Sequence, residues 1–249
     1  MVRRHQRFGV ARVTIITVAF HHAAGRDYLR LYNVMAYSVA KHMPQANLVN
    51  WPVKDLKTTT GKNRSFGSNT HKLEAWIAAY DAVDDEHILY SDCDMLFLGD
   101  VSHVFDSDFD IALTRHSGTR IPYNGGIVFV KKSDKMRAFL QEWLKTNNRM
   151  LSHPDFHWEW RKRRGFAGIN QAAMGYMLEN HRDGINVLDL PCVVYNSSHP
   201  NEWSNVSKAK ALHIKSGLRR AVFGQQSGGT GVKAAHKTWK QYEMEMKGA

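Results

Sequence analysis

The stretch His87-Ile-Leu-Tyr-Ser-Asp-Cys-Asp-Met-Leu-Phe-Leu98 decides how this chain folds. His87 to Ser91 reads as a buried strand, which runs directly into Asp92-Cys93-Asp94 and then into a second apolar run, Met95 to Leu98. In extended chain, positions i and i+2 point to the same side, so Asp92 and Asp94 can face one cation. Oxygen-only ligands suit Mg²⁺ or Mn²⁺, which commonly keep positions open for phosphate oxygens. An Asp-x-Asp pair is frequent by chance, and a bare match reads more readily as a solvated strand end. Its neighbours must therefore carry the argument.

Upstream, Lys72 to Val83 has Leu73, Trp76, Ile77 and Tyr80 at helical spacing, and the polar run Thr58 to Thr70 before it reads as a loop. Val10 to Phe20 is rich in β-branched residues and reads as a first buried strand; Arg26 to His42 is helical, with Pro44 just past its end, and Ala46 to Val53 is a short strand. Downstream, Asp110 to Thr114 is a strand, and Tyr123-Asn-Gly-Gly126 is a turn feeding the strand Ile127 to Val130. Asp134 to Leu144 is a helix, and Met150 to Gly168 is irregular. Asn170 to Glu179 is again helical. Ile185 to Leu190 and Ala211 to Ile214 are late strands; 224–231 is glycine-rich and flexible, and Lys233 to Met246 is a terminal helix. Strands alternating with helices predict an α/β fold with a mixed, mostly parallel central sheet flanked by helices.

With 249 residues, 43% hydrophobic and 23% charged, the chain can bury a core as a single domain over 1–249. Within it we expect three stretches: 1–100, ending in the Asp-x-Asp pair, then 101–220, and a basic tail over 221–249. No apolar run approaches the roughly 20 residues that span a bilayer. The start is basic, but the apolar run after it is short and lacks a small-residue cleavage site, so it reads as a strand rather than a signal peptide. Cys93 and Cys192 are too few for a disulfide framework, and reduced thiols point to the cytoplasm. The net charge of +11 is unevenly spread. Asp81 to Asp110 holds ten carboxylates and no Lys or Arg, whereas Trp203 to Tyr242 holds eight Lys or Arg and no carboxylate. An acidic centre between basic flanks suits a cation site that meets polyanions.

Several of these landmarks together carry a family resemblance. Lys72-Leu-Glu-Ala-Trp76 before His87 to Asp100 resembles the GT-A glycosyltransferases, and within them the glycogenin-like and galactosyltransferase-like retaining family. Tyr123-Asn-Gly-Gly-Ile-Val-Phe-Val130 is similar to that family's "F-N-S-G" turn and strand. Gly168-Ile-Asn-Gln-Ala-Ala173 lies where the family has "D-Q" opening a helix, and Leu212-His-Ile-Lys-Ser-Gly217 is similar to its late "H-F-x-G-x-x-K" motif. The ordered set runs from about Val13 to Arg220. It implies a GT-A, Rossmann-like domain and a nucleotide diphosphate sugar donor, with uridine diphosphate as the expected carrier. Asp92, Asp94 and His213 would ligate Mn²⁺ or Mg²⁺. Lys72, Asn124, Gly125, Lys215 and Gly217 would contact the donor, as would Asp92 through its ribose. Gln171 would sit beside the anomeric carbon with Asn170 next to it.

Departures from the family pattern qualify that reading. Asn170 and Ala167 stand where the family has acids that grip hexose hydroxyls. The late motif carries Lys215 early, which leaves the diphosphate to Lys215 with Arg219 or Arg220. An inverting enzyme would need a carboxylate base, for which Asp155 and Glu159 are candidates.

For the acceptor, the run Asp155-Phe-His-Trp-Glu-Trp-Arg-Lys-Arg-Arg-Gly-Phe166 combines aromatics with four consecutive cations. Phe156 to Phe166 would suit a polyanion with stackable bases, here DNA carrying hydroxymethylated pyrimidines, whose target base must leave the duplex. Tryptophan also stacks on sugars, so a glycan is the competing acceptor. Two further classes stay open: a nucleic-acid-binding protein without activity on the same scaffold, and a nucleotidyltransferase, against which stands the lack of a glycine-rich opening after the first strand.

Overall fold

The computed structural model describes residues 12–19, 27–52, 64–116, 122–165, 168–203, 206–225 and 228–248. Its first strand, β1 (Val13–Val18), is buried at all six positions, as a central strand covered on both faces must be. Helix α1 (Tyr28–His42) starts on Asp27, whose carboxylate accepts the Arg30 N–H at 3.0 Å. It returns the chain to β2 (Asn47–Asn50), parallel to β1. Helix α2 (Arg64–Ala82) then leads to β3 (His87–Asp92), which lies parallel to β1 on its other side. The chain turns at Cys93-Asp94 into β4 (Met95–Phe97).

β5 (Ile111–Arg115) and β6 (Tyr123–Lys131) form an antiparallel pair. Three helices follow: α3 (Asp134–Ser152), α4 (Pro154–Arg164) and α5 (Ile169–Asn180). β7 (Val187–Pro191) leads into two short helices, α6 (Cys192–Tyr195) and α7 (Pro200–Trp203). The chain ends with β8 (Ala211–His213), α8 (Ser216–Val222) and α9 (Thr230–Gly248). Six strands form the main sheet in the order β2-β1-β3-β6-β5-β7, with β6 alone running against the rest. β4 and β8 form a separate antiparallel pair. This is the α/β architecture the alternating pattern predicts.

Alternation along the strands divides the core. Ile16, Val18, Ile88, Tyr90, Val128 and Val130 face α2, α3 and α5, whereas Ile15, Leu89, Ala112, Ile127 and Phe129 face α1 and β4. A third cluster, including Leu31, Val34, Trp203, Leu212, Leu218 and Trp239, joins α1 to α8 and α9. Arg30 clamps this third cluster through a two-pronged pair with Glu243 at 2.6 and 3.0 Å, its guanidinium lying over Trp239.

Five local expectations change. Residues 64–70 belong to α2 rather than to a loop, because Thr70 is buried and accepts a hydrogen bond from Asn147 of α3 at 2.8 Å; 53–63 lie outside the described residues. The helix expected to end at Leu144 continues to Ser152, and the stretch expected to be irregular is α4. Pro154 starts α4 and left-handed Gly165 (φ 78°) stops it. Tyr123-Asn-Gly-Gly126 is part of β6, where the β5 register jumps from Leu113↔Val128 to Thr114↔Asn124 and leaves Gly125, Gly126 and Ile127 without a partner on β5. Of the glycine-rich stretch, Thr230 already opens α9 and 226–227 lie outside the described residues.

Candidate metal centre

The strand order reverses between β1 and β3: the chain winds from β1 outward to β2, then returns past β1 to β3. In open α/β sheets such a reversal opens a crevice at the carboxyl ends of the strands. Asp92, the last residue of β3, sits there beside Val18 of β1. Asp94 follows across the Cys93-Asp94 turn, so the turn rather than an extended strand brings the two carboxylates together.

The β4–β8 pair delivers the third group. Met95 lies opposite His213, and the Ile214 N–H donates to the Asp94 carbonyl at 2.8 Å, so the ladder seats residue 213 against residue 94. Asp92, Asp94 and His213 each offer a ligand atom, all within 4.8 Å of one another. His213 Nε2 stands 3.3 Å from Asp94 Oδ1 and 3.6 Å from Asp92 Oδ2. Two carboxylates and one imidazole nitrogen form a donor set that fits Mn²⁺ or Mg²⁺.

Cations flank the acids. Lys72, on α2, is buried and donates to Asp92 Oδ1 at 2.6 Å, with its ammonium over the Trp76 ring, which in turn stacks on Tyr90. Arg219, on α8, donates to Asp94 Oδ2, to the Ile214 carbonyl at 2.9 Å and to the Tyr28 hydroxyl at 3.0 Å. Burial works against the charge of Asp94, but Arg219 and His213 outweigh it and hold the carboxyl well below the usual carboxylate range. Burial lowers the Lys215 ammonium, which Asp94 and other anions partly restore. The Cys93 thiol between the two acids is pushed up by burial and is unpaired, as is the buried Cys192.

The remaining singled-out residues fall at varied distances from this centre. Asn124 is buried; its Oδ1 accepts the Gly126 N–H at 3.0 Å and its Nδ2 donates to Ser198 Oγ at 3.4 Å. Gln171 donates from Nε2 to the Tyr123 carbonyl at 2.8 Å, and a Cβ on Gly125 would meet its Cγ at 3.6 Å. Asn170 is buried, and its carbonyl accepts the Trp143 indole N–H. Gly217 sits in α8, but the residue with left-handed backbone is its neighbour Ser216 (φ 51°). Arg220 is exposed, and so is Asp155, on the first turn of α4. Ala167 and Phe166 lie outside the described residues.

The aromatic run of α4 does not form one platform. Trp160 is buried in the core and Phe156 packs edge-on against Tyr176, so among its tryptophans only Trp158, 54% exposed, faces outward, with Lys162 beside it. The i and i+4 positions of a helix share one face, which separates 156 and 160 from 158.

Sequence reasoning missed the groups behind His213. Asn196 Oδ1 stands 3.0 Å from His213 Nδ1, and Asn196 Nδ2 donates to Thr114 Oγ1 at 2.8 Å. A Cβ on Gly126 would lie 2.5 Å from His213 Nδ1, so only glycine leaves room for the ring. The polar run Asn196-Ser-Ser-His199 directly after apolar Cys192 to Tyr195 was the available signal.

No family model matches the sequence, and no curated protein matches it either. Solved structures do resemble the fold. A glycosyltransferase involved in the glycosylation of the major capsid of PBCV-1 superposes with a TM-score of 0.56 at 12% identity, over 94% of this chain and 98% of that one. The glycosyltransferase GlyE of Streptococcus pneumoniae TIGR4 superposes with a TM-score of 0.60 at 14% identity, over 94% of this chain and 61% of that one. The chain thus has a GT-A-like glycosyltransferase fold, with an acidic metal-type cluster at its strand-order reversal. No helix among the described residues is long and apolar enough to cross a membrane.

Proposed function

We propose that this chain is a metal-dependent glycosyltransferase that moves a sugar from a nucleotide diphosphate, preferably uridine diphosphate, to an acceptor hydroxyl. A single domain spanning the chain carries the activity, and its unpaired thiols suit the cytoplasm. The observation that carries the reading is the convergence of Asp92, Asp94 and His213 at the crevice of a GT-A-like fold.

Asp92, Asp94 and His213 would hold Mn²⁺ or Mg²⁺, which would supply positive charge for the departing diphosphate. Lys72 and Arg219 each hold one carboxylate oxygen, which leaves Asp92 Oδ2 and Asp94 Oδ1 facing His213 Nε2 as the oxygens that would take the cation. Lys215, carried at the start of α8 beside this cluster, adds a point charge where the leaving group becomes more negative. Gln171, tethered through Nε2, keeps Oε1 for the donor sugar beside Asn124, Gly125 and Asn170. Asp155, on α4, belongs to the acceptor side, where an inverting reaction would need a base.

A glycan acceptor is favoured over DNA, because the inward turn of Phe156 and Trp160 leaves one exposed tryptophan, enough for a sugar ring but not for successive bases. The net charge of +11 and the cations of α4 keep hydroxymethylated DNA as the second reading. Incubation with Mn²⁺, a mixture of uridine and guanosine diphosphate sugars, an oligosaccharide panel and hydroxymethylated DNA separates the two. Mass spectrometry should find a glycan heavier by one sugar; a digested nucleoside heavier by one sugar instead would establish DNA.

A further inference from the structure

We propose that Asn196 is a positioning residue for the cation site: its side-chain oxygen fixes the tautomer and orientation of the His213 ring, and Thr114 fixes the orientation of the Asn196 amide. This rests on the reading of Asp92, Asp94 and His213 as ligands of a divalent cation.

The argument runs through hydrogen-bond directions. Thr114 Oγ1 donates its one proton to the Asn124 carbonyl at 2.9 Å, so toward Asn196 it can only accept. The Asn196 group facing it at 2.8 Å must therefore be the amide nitrogen, and the Asn124 carbonyl, 3.4 Å from the same nitrogen, is a second acceptor. That leaves Asn196 Oδ1 facing His213 Nδ1 at 3.0 Å. An amide oxygen only accepts, so His213 must carry a proton on Nδ1. In the neutral ring the lone pair then sits on Nε2, the nitrogen that faces Asp94 and Asp92. Asn196 and Thr114 are both 0% exposed, so water does not compete for these bonds. The backbone reinforces the arrangement, since the His213 N–H donates to the Ser197 carbonyl at 2.9 Å. Partners of this kind on a ligating imidazole change metal affinity by roughly 10–100-fold when removed.

The test measures Mn²⁺ affinity by electron paramagnetic resonance of the free ion, on the full chain without donor. Asn196→Leu keeps the bulk and removes the acceptor; Asn196→Asp keeps an acceptor oxygen in the same place. The expected result is Mn²⁺ binding about 10–100-fold weaker in N196L and within about threefold of wild type, or tighter, in N196D. Substitutions that merely disturb packing would lose affinity in both variants alike, and that result would overturn the proposal, as would unchanged binding in N196L, the outcome for a residue that only fills space. If N196L does not fold, Thr114→Val replaces it: the amide is then free to turn, and T114V should bind several-fold more weakly than N196D, the reverse order being contrary to the proposal. Asp94→Asn is the reference for loss of a ligand. A wild-type chain that binds no Mn²⁺ would overturn the metal reading itself and the role of Asn196 with it, whereas binding lost in D94N but not in N196L would overturn the role of Asn196 alone.

Discussion

Replacing Gly126 with alanine tests whether the β6 bulge exists to seat the His213 ring. The new methyl carbon would stand 2.5 Å from Nδ1 and 2.6 Å from Cε1 of His213, and 3.2 Å from Asn196 Oδ1. Ordinary contact begins near 3.4 Å, so the ring must retreat by about 0.9 Å or the bulge must open by that much. Ligand distances at metal sites tolerate only about 0.2 Å, and neither His213 nor Asn196 has free space to retreat into, both being buried. We therefore expect Mn²⁺ affinity to fall about 10–100-fold, or roughly 1.4–2.7 kcal/mol, together with a stability loss of about 1–3 kcal/mol from overpacking. Gly125→Ala is the internal control, because its methyl would meet nothing closer than Gln171 Cγ at 3.6 Å. Metal affinity in G125A should stay within about twofold of wild type, well inside one factor of ten. Titrating each variant with Mn²⁺ and following the free ion, alongside thermal melts, gives both quantities. Wild-type affinity in G126A would show that the ring position does not matter and refute the reasoning.

Two further outcomes follow from burial and charge. Burial holds the imidazoles of His87, His157 and His199 below their ordinary range, so below about pH 6.5 the unfolded chain binds more protons than the folded one and stability is lost as the pH is lowered. Burial also opposes ionisation of Glu202 and Asp110, but the adjacent His116 imidazole with the Ser198 and His199 N–H groups at Glu202, and Lys135 with the Asn186 N–H at Asp110, outweigh it and hold both carboxyls low; a second loss should set in below about pH 4.5. A melting temperature that stays level between pH 7.5 and pH 5 in metal-free protein would contradict the first step. On α4, Trp160→Ala should cost about 3–5 kcal/mol in urea unfolding, because the side chain is 7% exposed. Trp158→Ala, at 54% exposure, should cost less than about 0.5 kcal/mol; the reverse order of losses would mean that α4 is turned the other way.

The sequence disclosed the parts of this molecule whose partners are near in the chain. β1 is a run of β-branched residues and β3 carries the apolar Ile88-Leu-Tyr90, as strands covered on both faces do, and Asp92 and Asp94 lie at the end of β3. His213 drew notice through a resemblance, and its approach to Asp94 depends on the β4–β8 ladder, which no local pattern announces. Thr114 and Asn196 were invisible for the same reason: their work lies in bonds across 82 and 17 residues, and neither residue type is unusual where it stands. Arg219 was read as a diphosphate contact, and the structure also ties it to Asp94 and Tyr28. α4 was misread because cations and aromatics obscured its period; with Phe156 and Trp160 on one face and Trp158 on the other, the helix becomes plain only once α3 and α5 are in place. The start of α2 was hidden by Gly67, Ser68 and Asn69, weak helix formers that packing overrides.

The central claim is cation-dependent cleavage of a nucleotide diphosphate sugar at Asp92, Asp94 and His213. Purified protein given a panel of uridine and guanosine diphosphate sugars, with and without Mn²⁺, is assayed for released nucleoside diphosphate beside the Asp94→Asn variant. The account predicts release of a nucleoside diphosphate from at least one donor with Mn²⁺, and its loss both with a chelator and in D94N. Release that ignores the metal and the substitution, or release of pyrophosphate in place of a nucleoside diphosphate, would contradict it.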